Sequence, residues 1–216
     1  MTDKEAINLH LTNYYKGTED KTFFSGFCGA LKDARKMTGR NKLSGEKDGS
    51  NECGHLGSWL GTIGYLSLLD QIGGCFIHVD GPVVEPSKSS IIKALKHFSD
   101  FSDAEINVIY ALRNSFAHDY SLQNIGRNGL THHFLVDNSS TGEVIILPEE
   151  AWDGVLSNKS NRNRTYINLQ LLGDRIEALV QSLIHLNSIS KVKIILEGGR
   201  EELIKRYSFI SNERVL

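Results

Sequence analysis

The chain has 216 residues, of which 40% are hydrophobic and 23% charged, a composition typical of folded globular proteins and not of disordered ones. Its 24 Lys and Arg residues against 26 Asp and Glu residues exclude a uniformly basic nucleic-acid coat, so any RNA contact must use a local positive patch. The cysteines Cys28, Cys53 and Cys75 form no CxxC pair, and the sequence shows no secretory leader or membrane span. We therefore expect a reduced, cytoplasmic protein without membrane association.

The N-terminal third is predicted to be helical with one long polar interruption. Residues 3–16 fit a helix, or a strand that leads into one, and residues 21–37 carry an apolar stripe at helical spacing. Residues 38–53 contain almost no apolar side chain and predict a mobile loop.

A glycine ridge follows this loop. Gly54, Gly57, Gly61 and Gly64 recur every three or four positions, so that in a helix they would lie on one face. Each glycine costs about 1 kcal/mol of helix propensity relative to alanine, which a close helix contact must offset. That contact is either packing within the chain or a subunit interface.

The next strong signal is an amphipathic helix that begins near residue 102, after a short helix at 91–98. Ser102 followed by Glu105 forms a capping-box pattern, and apolar residues then recur at helical intervals up to Tyr120. The end of this helix carries Arg113, Asn114 and His118.

The positions of these polar residues on the helix restrict what one chain can do. Asn114 and His118 are four residues apart and should touch. Arg113 and His118 are five apart, which places them about 140° around the helix axis. One helix therefore cannot direct both side chains at one small ligand, whereas two copies that meet at a dimer axis can.

The second half of the chain predicts a hairpin and another long helix. Residues 130–137 and 143–147 alternate around a polar loop and predict a β-hairpin, and residues 166–189 predict the longest helix. Residues 191–196 fit a strand or a continuation of that helix, and residues 201–207 a last amphipathic helix. The predicted architecture is mainly α: an up-and-down bundle of four or five helices in one domain over residues 1–216. A β-hairpin is inserted at about 130–148, and a small C-terminal appendage covers about 191–216.

The order Arg113, four residues, His118, one residue, Tyr120 resembles the Arg-x4-6-His signature of HEPN domains. The tyrosine resembles that of HEPN toxins that are paired with nucleotidyltransferase antitoxins. The resemblance implies a HEPN-like bundle, a homodimer, and a metal-independent endoribonuclease without cofactor that cleaves RNA at a composite dimer cleft. It also implies a role in toxin–antitoxin or defence systems, in which an antitoxin partner modifies Tyr120.

The side chains of this motif also suit RNA cleavage by their chemistry, apart from the resemblance. The imidazole of His118 is a candidate base for the RNA 2′-hydroxyl, because an unperturbed histidine titrates near neutral pH. Arg113 can stabilise the charge that develops on the phosphate, and Asn114 can hold the imidazole or the sugar. Tyr120 can donate a hydrogen bond or stack on a base.

Other interpretations remain open from the sequence. The same motif fits a non-catalytic HEPN-fold module that binds a nucleotide, RNA or a protein partner, and it fits a structural helix end in which Arg113 pairs with a carboxylate. Candidate phosphate contacts lie in two loops, at Arg127 and at Lys159, Arg162 and Arg164, where the bland interpretation is solvated surface charge. His132 and His133 point to opposite faces of a strand, so no metal site is expected there.

Overall fold

The computed structural model describes residues 1–12, 15–17, 22–47, 58–139 and 141–211. The helices in these ranges are α1 (Asp3–Thr12), α2 (Gly26–Met37), α3 (Ser58–Cys75), α4 (Ser90–Phe98), α5 (Asp103–His118), α6 (Leu169–Ser188) and α7 (Gly199–Tyr207). The strands are β1 (Tyr15–Gly17), β2 (Thr22–Ser25), β3 (Phe76–His78), β4 (Gln123–Ile125), β5 (Thr131–Asp137), β6 (Ile145–Ile146), β7 (Thr165–Asn168), β8 (Val192–Ile194) and β9 (Ser208–Ser211).

The mainly helical bundle predicted from the sequence is wrong, because helices and sheets both build the fold. In the described part of the chain, a mixed sheet has the strand order β4-β5-β7-β6, β3 pairs with β8, and a third sheet has the order β1-β2-β9. We therefore assign a mixed α and β fold. Short strands distributed along the chain, several of them with only two to four residues, give little periodicity from which to predict a sheet.

The predicted hairpin at 130–148 is also wrong, although both of its strands exist. β5 and β6 do not pair with each other, because β7 lies between them. β7 runs parallel to β5, with Leu135 opposite Tyr166, and antiparallel to β6, with Ile145 opposite Ile167. The intervening strand comes from Thr165–Asn168, where the sequence pattern predicted the start of the long helix. Asn168 instead caps that helix and accepts hydrogen bonds from Gln170 N and Leu171 N.

The central helix α3 packs closely against α2 and α4. A Cβ atom added at Gly61 would lie 2.5 Å from Thr38 Cγ2, and one at Gly64 would lie 3.0 Å from Ala34 Cβ. These two glycines therefore serve packing within the chain, while Gly54 and Gly57 lie outside the described residues. No helix in the described ranges combines the length and the apolar character needed to span a membrane.

The capping box predicted for α5 is confirmed. Ser102 Oγ accepts a hydrogen bond from Glu105 N, and Ser102 N donates to Glu105 Oε2 over 2.8 Å. The buried face of α5 carries Ile106, Ile109 and Phe116 among others, and all three side chains belong to the single hydrophobic core cluster. This packing fixes the opposite face of α5, with the candidate residues, toward the surface.

A buried polar network joins α2, α3 and α6. Arg35 donates from Nε and Nη2 to the two carboxylate oxygens of Glu177, over 2.8 and 2.7 Å, and Tyr65 donates to Glu177 Oε1 over 2.7 Å. Arg40 pairs with Asp174 over 2.7 Å. Residues 38–47 of the segment predicted as a mobile loop are therefore anchored to α6, and residues 48–53 lie outside the described part.

The C-terminal segment is joined to the rest of the fold through strands. β8 pairs with β3, with Ile77 opposite Lys193, and β9 pairs with β2, with Phe23 opposite Ile210. Between these two strands, α7 packs on α1. Of the two alternatives for residues 191–196, the structure has the strand, β8, and the helix predicted at 201–207 is confirmed by α7.

Candidate functional site

The exposed face of α5 forms a narrow stripe that ends at the helix C-terminus. Tyr110 and Asn114 are half-buried and Ala117 is exposed. At 100° per residue, Arg113 and His118 lie on the two edges of this stripe, about 140° apart. The two side chains make no contact with each other, as the helix geometry predicts.

Arg113 is held by Asp70 of α3 and by its neighbour Asn114 on α5. Its Nε donates to Asp70 Oδ2 of α3 over 2.6 Å, and its Nη1 donates to Asn114 Oδ1 over 3.2 Å. The second oxygen of Asp70 accepts a hydrogen bond from Ile91 N, in the first turn of α4, over 3.2 Å. The side chains of Arg113 and Asp70 remain 32% and 25% exposed. No described residue accepts a hydrogen bond from Arg113 Nη2, so the guanidinium keeps capacity for an oxyanion.

Arg127 joins the same cluster from the loop after β4. Its guanidinium carbon lies 5.1 Å from the centre of the Tyr110 ring. Hydrogen bonding from Arg127, and then from Asn114, lowers the pKa of Tyr110 below its usual value. Arg113, Asn114, Tyr110 and Arg127 thus form one connected group with two guanidinium groups and the single carboxylate of Asp70.

His118 stands apart from that group, as the last residue of α5. Its ring is exposed, and none of the described residues hydrogen-bonds or ion-pairs with it. Asn114 and His118, which were expected to touch, share no hydrogen bond, and the Asn114 oxygen accepts one from Arg113. His118 is therefore free to accept a proton from a ligand or to meet another chain.

Tyr120 ends the motif in an unusual backbone conformation. Its φ of 55° is left-handed, a region that residues other than glycine adopt at a cost of about 1–3 kcal/mol. Its ring stacks 6.1 Å from Phe116 and 6.3 Å from Trp59, and the residue remains 42% exposed. The aromatic stack holds Tyr120 against the helix end with part of its ring open to solvent.

The remaining predicted RNA contacts lie away from α5, in the segment before β7. Arg162 pairs with Glu149 over 2.9 Å and with Glu150 over 4.0 Å, so carboxylates balance its charge. Lys159 Nζ lies 5.3 Å from the centre of the Trp152 ring, and Arg164 Nη1 donates to Asn161 Oδ1 over 3.2 Å. The structure brings Arg127 to the α5 cluster and separates it from these three.

Sequence reasoning missed Asp70, Tyr110 and Trp59. Asp70 is the one residue of α3 with a charged side chain, and that isolation in an apolar helix was the available signal. Tyr110 lies one helical turn before Asn114, so the helical spacing places it on the same face. Trp59 is remote in sequence, and only the fold places it beside Tyr120.

The described residues contain no group of three or more His, Cys, Asp or Glu side chains placed to hold a metal ion. His132 is buried and lies 2.9 Å from Thr165 Oγ1, whereas His133 is on the other face of β5 beside Trp152. No protein-family model, curated protein or solved structure matches this chain. The resemblance to HEPN domains therefore depends on the residues from Arg113 to Tyr120 alone.

Proposed function

We propose that this chain is an endoribonuclease that cleaves RNA through attack of the 2′-hydroxyl at a site shared by two copies of the chain. The observation that carries the proposal is the contrast on α5 between a fixed arginine and a free histidine. Asp70 orients Arg113, which retains a free nitrogen, and His118 is exposed without a partner in the described chain.

The reaction requires one base and one cationic group. His118 of one subunit takes the proton of the 2′-hydroxyl, and the oxygen forms a bond to the adjacent phosphorus. The bond from phosphorus to the 5′-oxygen breaks, that oxygen takes a proton from water, and His118 returns its proton to solvent. The products are a 2′,3′-cyclic phosphate and a 5′-hydroxyl end. Arg113 of the other subunit stabilises the charge on the non-bridging oxygens through its planar, permanently charged fork.

The shared site follows from the positions on α5. A two-fold axis that brings Arg113 of one copy beside His118 of the other also makes the reverse contact, because contacts across such an axis are reciprocal. Ala117 lies between these two residues on the stripe and has the smallest side chain there. A small residue at this position permits two helices to approach closely.

Tyr120 is the proposed control point, in line with the resemblance to HEPN toxins. A nucleotidyltransferase antitoxin that attached a nucleotide to its hydroxyl would add phosphate charge beside His118 and block the site. The test is the intact mass of the protein produced with and without a neighbouring nucleotidyltransferase gene product. An added nucleotide mass that Tyr120→Phe abolishes supports this role, and an unchanged mass contradicts it.

The direct test of the activity is cleavage of single-stranded RNA by purified protein in excess chelator. We expect cleavage by the wild type and none by Arg113→Ala or His118→Ala. Unchanged cleavage in either variant would contradict the assignment. The ion pair of Arg113 with Asp70 favours one rival function, a non-catalytic RNA-binding or adaptor module, because it neutralises part of the arginine charge. That rival predicts wild-type protein that binds RNA and leaves it intact.

A further inference from the structure

A second cluster of basic side chains lies on the outer face of the mixed sheet. In the parallel ladder of β5 and β7, Phe134 is opposite Thr165, so the preceding residues His133 and Arg164 lie side by side on the other face of the sheet. Lys159 reaches the same place over the Trp152 ring, and the His133 ring lies 5.5 Å from that ring. We name His133, Lys159 and Arg164 the sheet-face patch.

The loop that carries Lys159 is held in a defined shape. Asn163 is buried, donates to Asn158 O over 2.8 Å and accepts a hydrogen bond from Ser160 N over 2.9 Å. Trp152 is also buried, and its indole nitrogen donates to Val155 O over 3.0 Å. These hydrogen bonds fix the backbone of the loop, so the patch does not depend on a freely moving surface segment.

The patch has buried polar atoms without a hydrogen-bond partner in the described part of the chain. His133 Nδ1 and Arg164 Nε are buried and have no hydrogen-bond partner among the described residues. No carboxylate of those residues forms an ion pair with Lys159 or Arg164. Burial, with the charges of Lys159 and Arg164, lowers the pKa of His133. A buried guanidinium nitrogen almost always has an acceptor, and a bound phosphate would supply one to Arg164 Nε.

Arg162 provides the contrast within the same loop. It is 66% exposed and is paired with Glu149 and Glu150. A cation whose charge is already balanced gains little from a phosphate, whereas the uncompensated cations of the patch gain a full charge-assisted contact. The sequence groups Lys159, Arg162 and Arg164 together, but the structure divides them. Lys159 and Arg164 are candidates to bind an anion, whereas carboxylates already balance the charge of Arg162.

We propose that the sheet-face patch binds a backbone phosphate of the RNA substrate, at a distance from the bond that is cut. The proposal rests on the proposed function for the nature of the ligand. Its position fits that role, because β4 follows α5 in the chain and places Gln123 opposite His133. An RNA strand cut at His118 can therefore continue over the adjacent sheet to the patch.

The test measures binding of a fluorescein-labelled 20-nucleotide oligouridylate to His118→Ala protein, which leaves the RNA intact. Lys159→Gln and Arg164→Gln retain apolar stem atoms, and each should raise Kd by about eightfold at 50 mM salt. That size follows from a loss of about 0.7 in the slope of log K against log salt, extrapolated from 1 M salt. Arg162→Gln is the matched control and should change Kd by less than about twofold, as expected for a cation that gains no phosphate contact.

Equal Kd values and equal salt slopes in all three variants would overturn the proposal, once circular dichroism shows that they are folded. Displacement of the RNA from the patch by inorganic phosphate in the low millimolar range, at constant ionic strength, would also overturn it, because the site would then be one for a free anion. Cleavage by wild-type protein is measured separately. If the patch variants bind RNA more weakly but the wild type does not cleave it, the patch is supported and the nuclease is rejected. If the wild type cleaves RNA but the patch variants bind it as tightly as the control, the nuclease is supported and the patch is rejected.

Discussion

The two arginine–carboxylate pairs Arg35–Glu177 and Arg113–Asp70 each join two helices, and they differ in the hydrogen-bonding capacity that they leave unused. The pair of Arg35 with Glu177 is 7% and 11% exposed in its side chains, and both oxygens of Glu177 are taken. The pair of Arg113 with Asp70 is 32% and 25% exposed, and it leaves a guanidinium nitrogen without an acceptor in the described chain. The first arrangement is complete in itself, and the second fixes a charged group that still has bonding capacity.

The contrast separates a role in stability from a role in chemistry. A buried, fully bonded pair loses much when one partner is removed, because the other charge remains without compensation. A half-exposed pair loses little, because water replaces the partner. Removal of Asp70 or of Arg113 should therefore affect function far more than folding, and removal of Glu177 should do the reverse.

The largest expected effect is at His118, the exposed last residue of α5. Loss of a general base costs about 10²–10⁴-fold in rate, and we expect that loss in RNA cleavage by His118→Ala. Its thermal unfolding should remain that of the wild type, since the His118 ring has no partner in the described part. His185→Ala is the matched control, an exposed histidine in the last turn of α6. Equal loss in both variants would show that the effect is not specific to the motif.

The next largest effect is expected at the buried pair of Arg35 with Glu177. Glu177→Ala leaves Arg35 and the Tyr65 hydroxyl without their acceptor, and we expect the free energy of unfolding to fall by about 3–5 kcal/mol. Urea denaturation followed by circular dichroism measures it. The double variant Arg35→Met with Glu177→Leu should be more stable than Glu177→Ala, because no unpaired charge remains. A loss below about 1 kcal/mol, the upper range for exposed pairs, would contradict the comparison.

The buried histidine His10 of α1 should make stability depend on pH in the acid range. Burial lowers the pKa of His10 to about 4, from 6.5 in the unfolded chain. The unfolded state therefore binds a proton first as the pH falls, so stability present above pH 6.5 is lost progressively toward pH 4. Between pH 8 and pH 5 the loss from this group is about 2 kcal/mol. His10→Phe should flatten the denaturation midpoints over this range, and an unchanged pH slope in His10→Phe would reject this assignment.

The smallest expected effect is that of Asp70→Ala, which should change the free energy of unfolding little and lower the cleavage rate measurably. Asp70→Ala frees the Arg113 guanidinium, and we expect unfolding to shift by about 1 kcal/mol or less. The rate of cleavage should fall by about tenfold, because a misplaced catalytic group loses pre-organisation. A positioning role predicts that kcat falls while KM stays nearly constant. A change in KM alone would assign Asp70 to RNA binding.

The features that the sequence predicts well are those formed by residues close together in the chain. Ser102 and Glu105 mark the start of α5, and the apolar repeat marks most of α6, because capping and helical periodicity are written in adjacent residues. The mixed sheet escaped prediction, because β7 has only four residues and acquires its partners β5 and β6 through pairing across the chain. The prediction of a mainly helical bundle failed for the same reason.

The candidate site divides in the same way. Helix geometry alone separates Arg113 from His118, and the structure agrees with that separation. The partners that give each residue its character are non-local: Asp70 for Arg113, Arg127 for Tyr110 and Trp59 for Tyr120. No spacing in the sequence links these pairs, so only the packing of α3 and the loop after β4 against α5 identifies them.

The central claim is that one catalytic site takes its arginine from one subunit and its histidine from the other. Its most direct test mixes Arg113→Ala and His118→Ala proteins after joint refolding, so that half of the dimers contain one variant of each kind. Such a dimer has one site with both native residues, and by the reciprocity of a two-fold axis the mixture should regain about one quarter of wild-type RNA cleavage. Two inactive variants that stay inactive when mixed, although they form mixed dimers, would contradict the shared site.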